Sequence, residues 1–181
     1  MTSPRNDLLL AAGKMLTLLI QGIMGIAAIA IMLVIGAVTL FSGTIDQEIR
    51  AEFGADMVAL PVMSVVWLLL AVLALTGLVY MFFGKLRGII NTVAIGDPFV
   101  PENADRLSAM AWLQIGIYIM GIVANLAAGL AARWAGQFTD VEIRGSVELD
   151  IPSVLLVIVL FILARVFRHG AMMREDLEGT V

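Results

Sequence analysis

The sequence predicts an all-α integral membrane protein, a four-transmembrane-helix bundle carrying a small extracytoplasmic cap of one amphipathic helix and one β-hairpin. Three observations predict it. Hydrophobic residues fill 61% of the 181 positions and charged ones only 14%, against roughly 45–50% and 25% in soluble domains. A chain this apolar exceeds what a core of ordinary size can bury, so lipid must solvate the excess. The charges are also bunched: Lys14 to Asp46 brackets 31 uncharged positions, Asp56 to Lys85 brackets 28, and Arg106 to Arg133 brackets 26. About 20 apolar residues cross the hydrocarbon layer, so each run crosses once. The third observation is a strict polar–apolar alternation in one of the two outer segments, described below.

The elements follow in order within one membrane domain over residues 1–181. Ser3-Pro4 makes a plausible helix start, and the first spanning helix covers about 15–41. This run is too long for a signal h-region and no A-x-A site follows it, so it is expected to stay as a signal anchor. In the outer segment 42–57, Ile45, Ile49, Phe53 and Met57 recur every four residues with charges between them. That is one face of an amphipathic helix, expected to lie flat on the outer surface. Pro61 opens or kinks the second spanning helix, about 58–84.

Residues 85–104 form a cytoplasmic elbow. Helical spacing continues through Ile89, Ile90 and Val93, then breaks at Gly96-Asp97-Pro98, which is turn chemistry. Pro101 suits the first turn of the third helix, where its missing N–H costs nothing, and Glu102 and Asp105 place negative charge at its dipole's positive end. The segment lacks the glycines and the lysine of a phosphate loop.

The third spanning helix covers about 105–132. Gly121, Ala124, Ala128 and Ala132 lie along one face of it, and small residues at this spacing let helix backbones approach closely. Contact within the same bundle is the simpler explanation, and a homo-oligomer seam is the alternative. In the outer segment 133–151, Val141, Ile143, Val147, Leu149 and Ile151 alternate with Glu142, Arg144, Glu148 and Asp150. Alternation is the strand signal, and Arg144-Gly145 sits where a hairpin could turn. The fourth run has only 14 uncharged residues between Asp150 and Arg165. It becomes long enough, about 152–170, if Arg165 runs its stem along the helix and places its guanidinium among the headgroups. Arg165, Arg168 and His169 are then expected in a last helical turn, which favours cations, close to anionic lipid. Residues 171–181 read as a solvated cytoplasmic tail.

Charge sets the orientation. The N-terminal segment, elbow and tail carry eight Lys and Arg residues and the two outer segments only three, Arg50, Arg133 and Arg144. The positive-inside rule places both termini and the elbow in the cytoplasm. The outer segments also hold eight acidic residues, which reads as a solvated surface.

No catalytic, cofactor-binding or metal-binding set emerges. There is no cysteine and only one histidine, and no Ser-His-Asp set, metal-ligand cluster or intramembrane carboxylate pair is present. The spans hold only neutral polar groups, Gln21, Thr76, Tyr80, Gln114, Tyr118 and Asn125, which suit helix-to-helix hydrogen bonds better than an ion path.

Two cytoplasmic segments carry a likeness. GDPFVPENADRL, Gly96 to Leu107, and ARVFRHGAMMREDLEGTV, Ala164 to Val181, resemble the bacterial membrane family designated domain of unknown function 2975. The likeness extends over nearly the whole chain, and the proline-asparagine elbow and the terminal D-L-x-x-T-V are its most specific marks. It implies a multi-pass protein of the bacterial cytoplasmic (inner) membrane that partners a very small helix-turn-helix regulator. With a nearly neutral inner face and short loops, direct nucleic-acid binding by this chain is not expected. The candidate docking residues are Asp97, Phe99, Glu102, Asn103, Asp105 and Arg106 in the elbow, with Arg174, Glu175, Asp176 and Leu177 in the tail. The alternatives are a small oligomeric transporter or channel for an uncharged or hydrophobic solute, and an accessory subunit of a membrane complex.

Overall fold

In the computed structural model, which describes residues 4–54, 61–135 and 151–178, every regular element is an α-helix. These are α1 (Pro4–Phe53), α2 (Val62–Ala94), α3 (Pro101–Ala135) and α4 (Ile151–Glu178). All four are long and apolar enough to cross a membrane. The most apolar 18-residue stretches of α1 and α3 are 0% buried, and those of α2 and α4 are 11% buried. Leu19, Ile26, Leu33 and Leu40 show what this means, since they recur every seven residues on α1 and are all exposed. An apolar stripe so long is stable only where hydrocarbon covers it.

Each helix outruns the span expected for it. The outer stretch 42–53 is the continuation of α1 and not a separate helix lying flat. Nothing at Ser42-Gly43 stops α1, because a glycine in a helix costs only about 1 kcal/mol. The stop comes at Gly54, whose φ is +113° and whose N–H donates to the Arg50 carbonyl at 3.1 Å. This is an αL helix end. At the other end of the chain, α4 continues through the expected tail to Glu178. Arg165, Arg168 and His169 are therefore well inside α4, beyond reach of a last-turn dipole effect. The hairpin expected over 141–151 lies outside the described residues but for Ile151, the first residue of α4.

The chain divides into two compact units: Met1–Gly25 with Leu78–Tyr118 and Asp150–Val181, and Ile26–Gly77 with Ile119–Leu149. The first unit has its core where α3 meets α4. Leu107, Met110 and Ala111 pack with Leu160 and Ala164, and Phe82, Leu86, Ile89, Phe161 and Phe167 close around them. On α4 the inward positions run Ser153, Val157, Leu160, Ala164, Phe167 and Ala171, alternating steps of four and three along one seam. Trp112 meets Phe161 edge-on at 5.7 Å. On α1 the seam is Gly13, Thr17 and Gln21. A methyl at Gly13 would touch Ile90 at 3.4 Å, Thr17 is buried, and the Gln21 amide donates to the Tyr80 carbonyl at 3.4 Å.

In the second unit the small-residue face of α3 is only half buried. Gly121 has nothing within 4 Å of where a Cβ would stand, and Ala124, Ala128 and Ala132 are intermediate. The buried residue there is Ala127, one position off the expected face.

Candidate functional site

The elbow is built by backbone chemistry first. At the end of α2, Gly96 takes φ +83° and its N–H donates to the Val93 carbonyl at 3.1 Å, while the Asp97 N–H reaches the Thr92 carbonyl at 3.0 Å. This pair of bonds is a Schellman motif, and it needs glycine because other residues pay about 1–2 kcal/mol for the left-handed conformation. Pro98 follows, where no helix could continue. α3 then starts at Pro101, after Val100, whose side chain has no oxygen to cap the helix.

Asn103 fastens the elbow through its side chain instead. It is 0% exposed. Its amide nitrogen donates to the Thr92 hydroxyl at 2.6 Å and to the Pro98 carbonyl at 2.9 Å, and its amide oxygen accepts from Arg106 Nη1 at 2.7 Å. One side chain therefore ties the end of α2, the turn and the first turns of α3 together. The Arg106 guanidinium lies across α2 at Gly88, where an added Cβ would stand 2.8 Å from its Nε.

The elbow in turn sits on α4. Phe99 stacks on Phe167, ring centres 5.4 Å apart at 42°, and covers Gly170 so closely that a Cβ there would stand 2.7 Å from its ring. Asp97 is ion-paired with Arg174, and Asp105 with Arg168 at 3.1 Å. The contacts join residues more than 60 positions apart in sequence.

The candidate docking residues thus divide into two groups. Asn103 is sealed inside, and Arg106 is turned inward onto Asn103 and Gly88. Asp97, Asp105 and Arg174 bind across the elbow–α4 contact. Phe99 shares its ring between that contact and the surface, with 42% of it exposed. Glu102, Glu175 and Asp176 are exposed, and Leu177 lies in the last turn of α4. The pattern brings the elbow and the tail together, though largely by having them hold each other. Sequence reasoning missed Gly88, Thr92, Phe167 and Gly170. The Gly88–Arg106 and Gly170–Phe99 contacts pair a glycine with a large side chain across two helices, which no local pattern announces.

Some polar residues of the spans bond inside the protein, while Tyr80 and Asn125 are exposed. Gln114 donates to the Ser153 hydroxyl at 3.3 Å, joining α3 to α4, and Thr76 donates to the Val72 carbonyl at 2.8 Å. Tyr118 lines a groove of about 150 Å³ beside Gln114 and Ser153.

Four long apolar helices with most of their surface uncovered define a multi-pass membrane protein. Compared with known proteins, the chain matches no family model, no curated protein and no solved structure.

Proposed function

We propose that this chain is a non-enzymatic regulatory membrane protein of the bacterial cytoplasmic membrane, whose elbow and α4 tail form a docking platform for a small helix-turn-helix regulator. The partner class comes from the resemblance carried by Gly96–Leu107 and Ala164–Val181. The observation that supports the reading best is the clamp between them: Phe99 on Gly170, with the ion pairs Asp97–Arg174 and Asp105–Arg168 on either side. Two segments far apart in sequence thereby offer one continuous surface, edged by Phe99, Glu102 and Glu175. Eight basic residues against three support a cytoplasmic position for this surface and both termini. The outer segments then face away from the cytoplasm, where a cap over 133–151 would receive or exclude a signal.

The test is a mild-detergent purification of the tagged chain from its native membranes, with co-purifying proteins identified. A helix-turn-helix protein that is retained by the wild type, and lost when Glu102 and Glu175 are both replaced by lysine, supports the platform. These two side chains are exposed, so the variant keeps its fold. Undiminished retention by this folded variant removes the surface from consideration. Large membrane subunits in its place would favour the accessory role.

A further inference from the structure

Beside the elbow, α4 carries an arginine and a histidine that the other described residues leave unmatched. Its four basic side chains are Arg165, Arg168, His169 and Arg174. Arg168 and Arg174 are paired with Asp105 and Asp97. Among the described residues, Arg165 and His169 make neither an ion pair nor a hydrogen bond. Spaced four residues apart, they stand one above the other on the same face.

Each flank of this ridge is a groove, largely apolar on one side and mixed on the other. On one side, a groove of about 660 Å³ has its apolar lining from Phe99, Ile162, Val166 and Met173, with Arg165 and His169 at its edge. On the other side, a groove of about 500 Å³ is lined by Ser108, Arg165, Arg168 and His169 together with Phe161, Ala164 and Met172. Ile162, Val166 and Met173 are all exposed.

The depth is that of a headgroup. At 1.5 Å per residue, Arg165 lies about 21 Å along α4 from Ile151 and His169 about 27 Å. With Ile151 set at the outer edge of a hydrocarbon layer about 30 Å thick, His169 comes close to the inner edge and the Arg165 stem can carry its guanidinium there. A soluble anion would satisfy Arg165 and the His169 imidazole N–H and leave the apolar side chains of both grooves uncovered. A diacyl phospholipid fills all three features.

We propose that Arg165 and His169 bind the phosphate headgroup of one anionic phospholipid, whose two acyl chains lie in the grooves flanking α4. Phe99 forms a wall of one groove and also belongs to the elbow clamp, so the bound lipid touches the elbow directly. The inference does not depend on the docking of a regulator.

The full chain in neutral detergent is titrated with an equimolar mixture of phosphatidylglycerol and phosphatidylcholine of matched acyl chains. Retained lipids are then counted by native mass spectrometry. One phosphatidylglycerol is expected to be held preferentially. At about five-fold per positive charge near a headgroup, Arg165→Gln lowers that preference about five-fold, and Arg165→Gln with His169→Gln abolishes it. Lys85→Gln with Arg87→Gln removes two cations that line neither groove and leaves the preference intact. Val166→Trp fills a groove without altering charge and lowers retention of both lipids. No preference in the wild type, or equal loss in the Lys85/Arg87 variant, overturns the site. So does displacement of the lipid by millimolar inorganic phosphate, or full retention by Val166→Trp.

Discussion

Replacing Asn103 by alanine removes three hydrogen bonds at a side chain that water does not reach. The bonds to Thr92 and Pro98 join neutral groups and contribute about 1 kcal/mol each, while the bond from Arg106 is charge-assisted and contributes about 1.5–3 kcal/mol. Partial compensation is available, because the Thr92 hydroxyl still donates to the Ile89 carbonyl at 2.8 Å and Arg106 keeps a weak contact to the Gly88 carbonyl at 3.5 Å. The expected loss is at most about 3.5–5 kcal/mol, the sum before that compensation, and is concentrated on the elbow. Since 1.4 kcal/mol is a factor of ten, local opening becomes up to roughly a thousand times more frequent. Amide hydrogen exchange on the full chain reads this directly, as lost protection over residues 92–106. Glu102→Ala is the control: it changes an exposed neighbour on the same turn and should shift exchange by less than about 0.5 kcal/mol. Protection in Asn103→Ala within three-fold of the wild type would refute the view that this side chain holds the elbow, as would an equal loss in Glu102→Ala.

Two further predictions concern the clamp on α4. Gly170→Ala forces a methyl against the Phe99 ring and should destabilise the clamp by about 1–3 kcal/mol. Adding Phe99→Ala frees the space, so the double variant should unfold at a higher temperature than Gly170→Ala in a detergent melt. Asp97→Asn should cost less than about 1 kcal/mol, because the Asp97–Arg174 pair is partly solvated. The same melt in 0.5 M salt, where the Debye length is about 4–5 Å, should then show almost no difference between wild type and variant.

These expectations also mark how far the sequence could be read. The helices were legible because crossing a bilayer imposes a crude, length-based requirement that the runs after Lys14, Asp56 and Arg106 meet plainly. Helix ends were less legible, because the requirement concerns where lipid is and not where a helix stops. Thus α1 runs past Ser42-Gly43 to Gly54, and α4 past Gly170 to Glu178. The break at Gly96-Asp97-Pro98 was visible because glycine and proline restrict the backbone locally. Asn103 was not, since a polar residue beside Asp105 and Arg106 looks solvated until the fold encloses it. The signs of Asp97, Asp105, Arg168 and Arg174 were evident, but their pairing depends on how α4 meets the elbow and has no one-dimensional signature.

Everything proposed for the elbow, the tail and the lipid ridge requires them to face the cytoplasm. The chain has no cysteine, so single cysteines at Glu48, Glu102 and Glu175 report their location without background. Intact cells are treated with a membrane-impermeant maleimide, and a parallel sample is treated after lysis. The account predicts labelling at position 48 in intact cells, and at positions 102 and 175 only after lysis. Labelling of 102 and 175 in intact cells, with 48 protected, would contradict it.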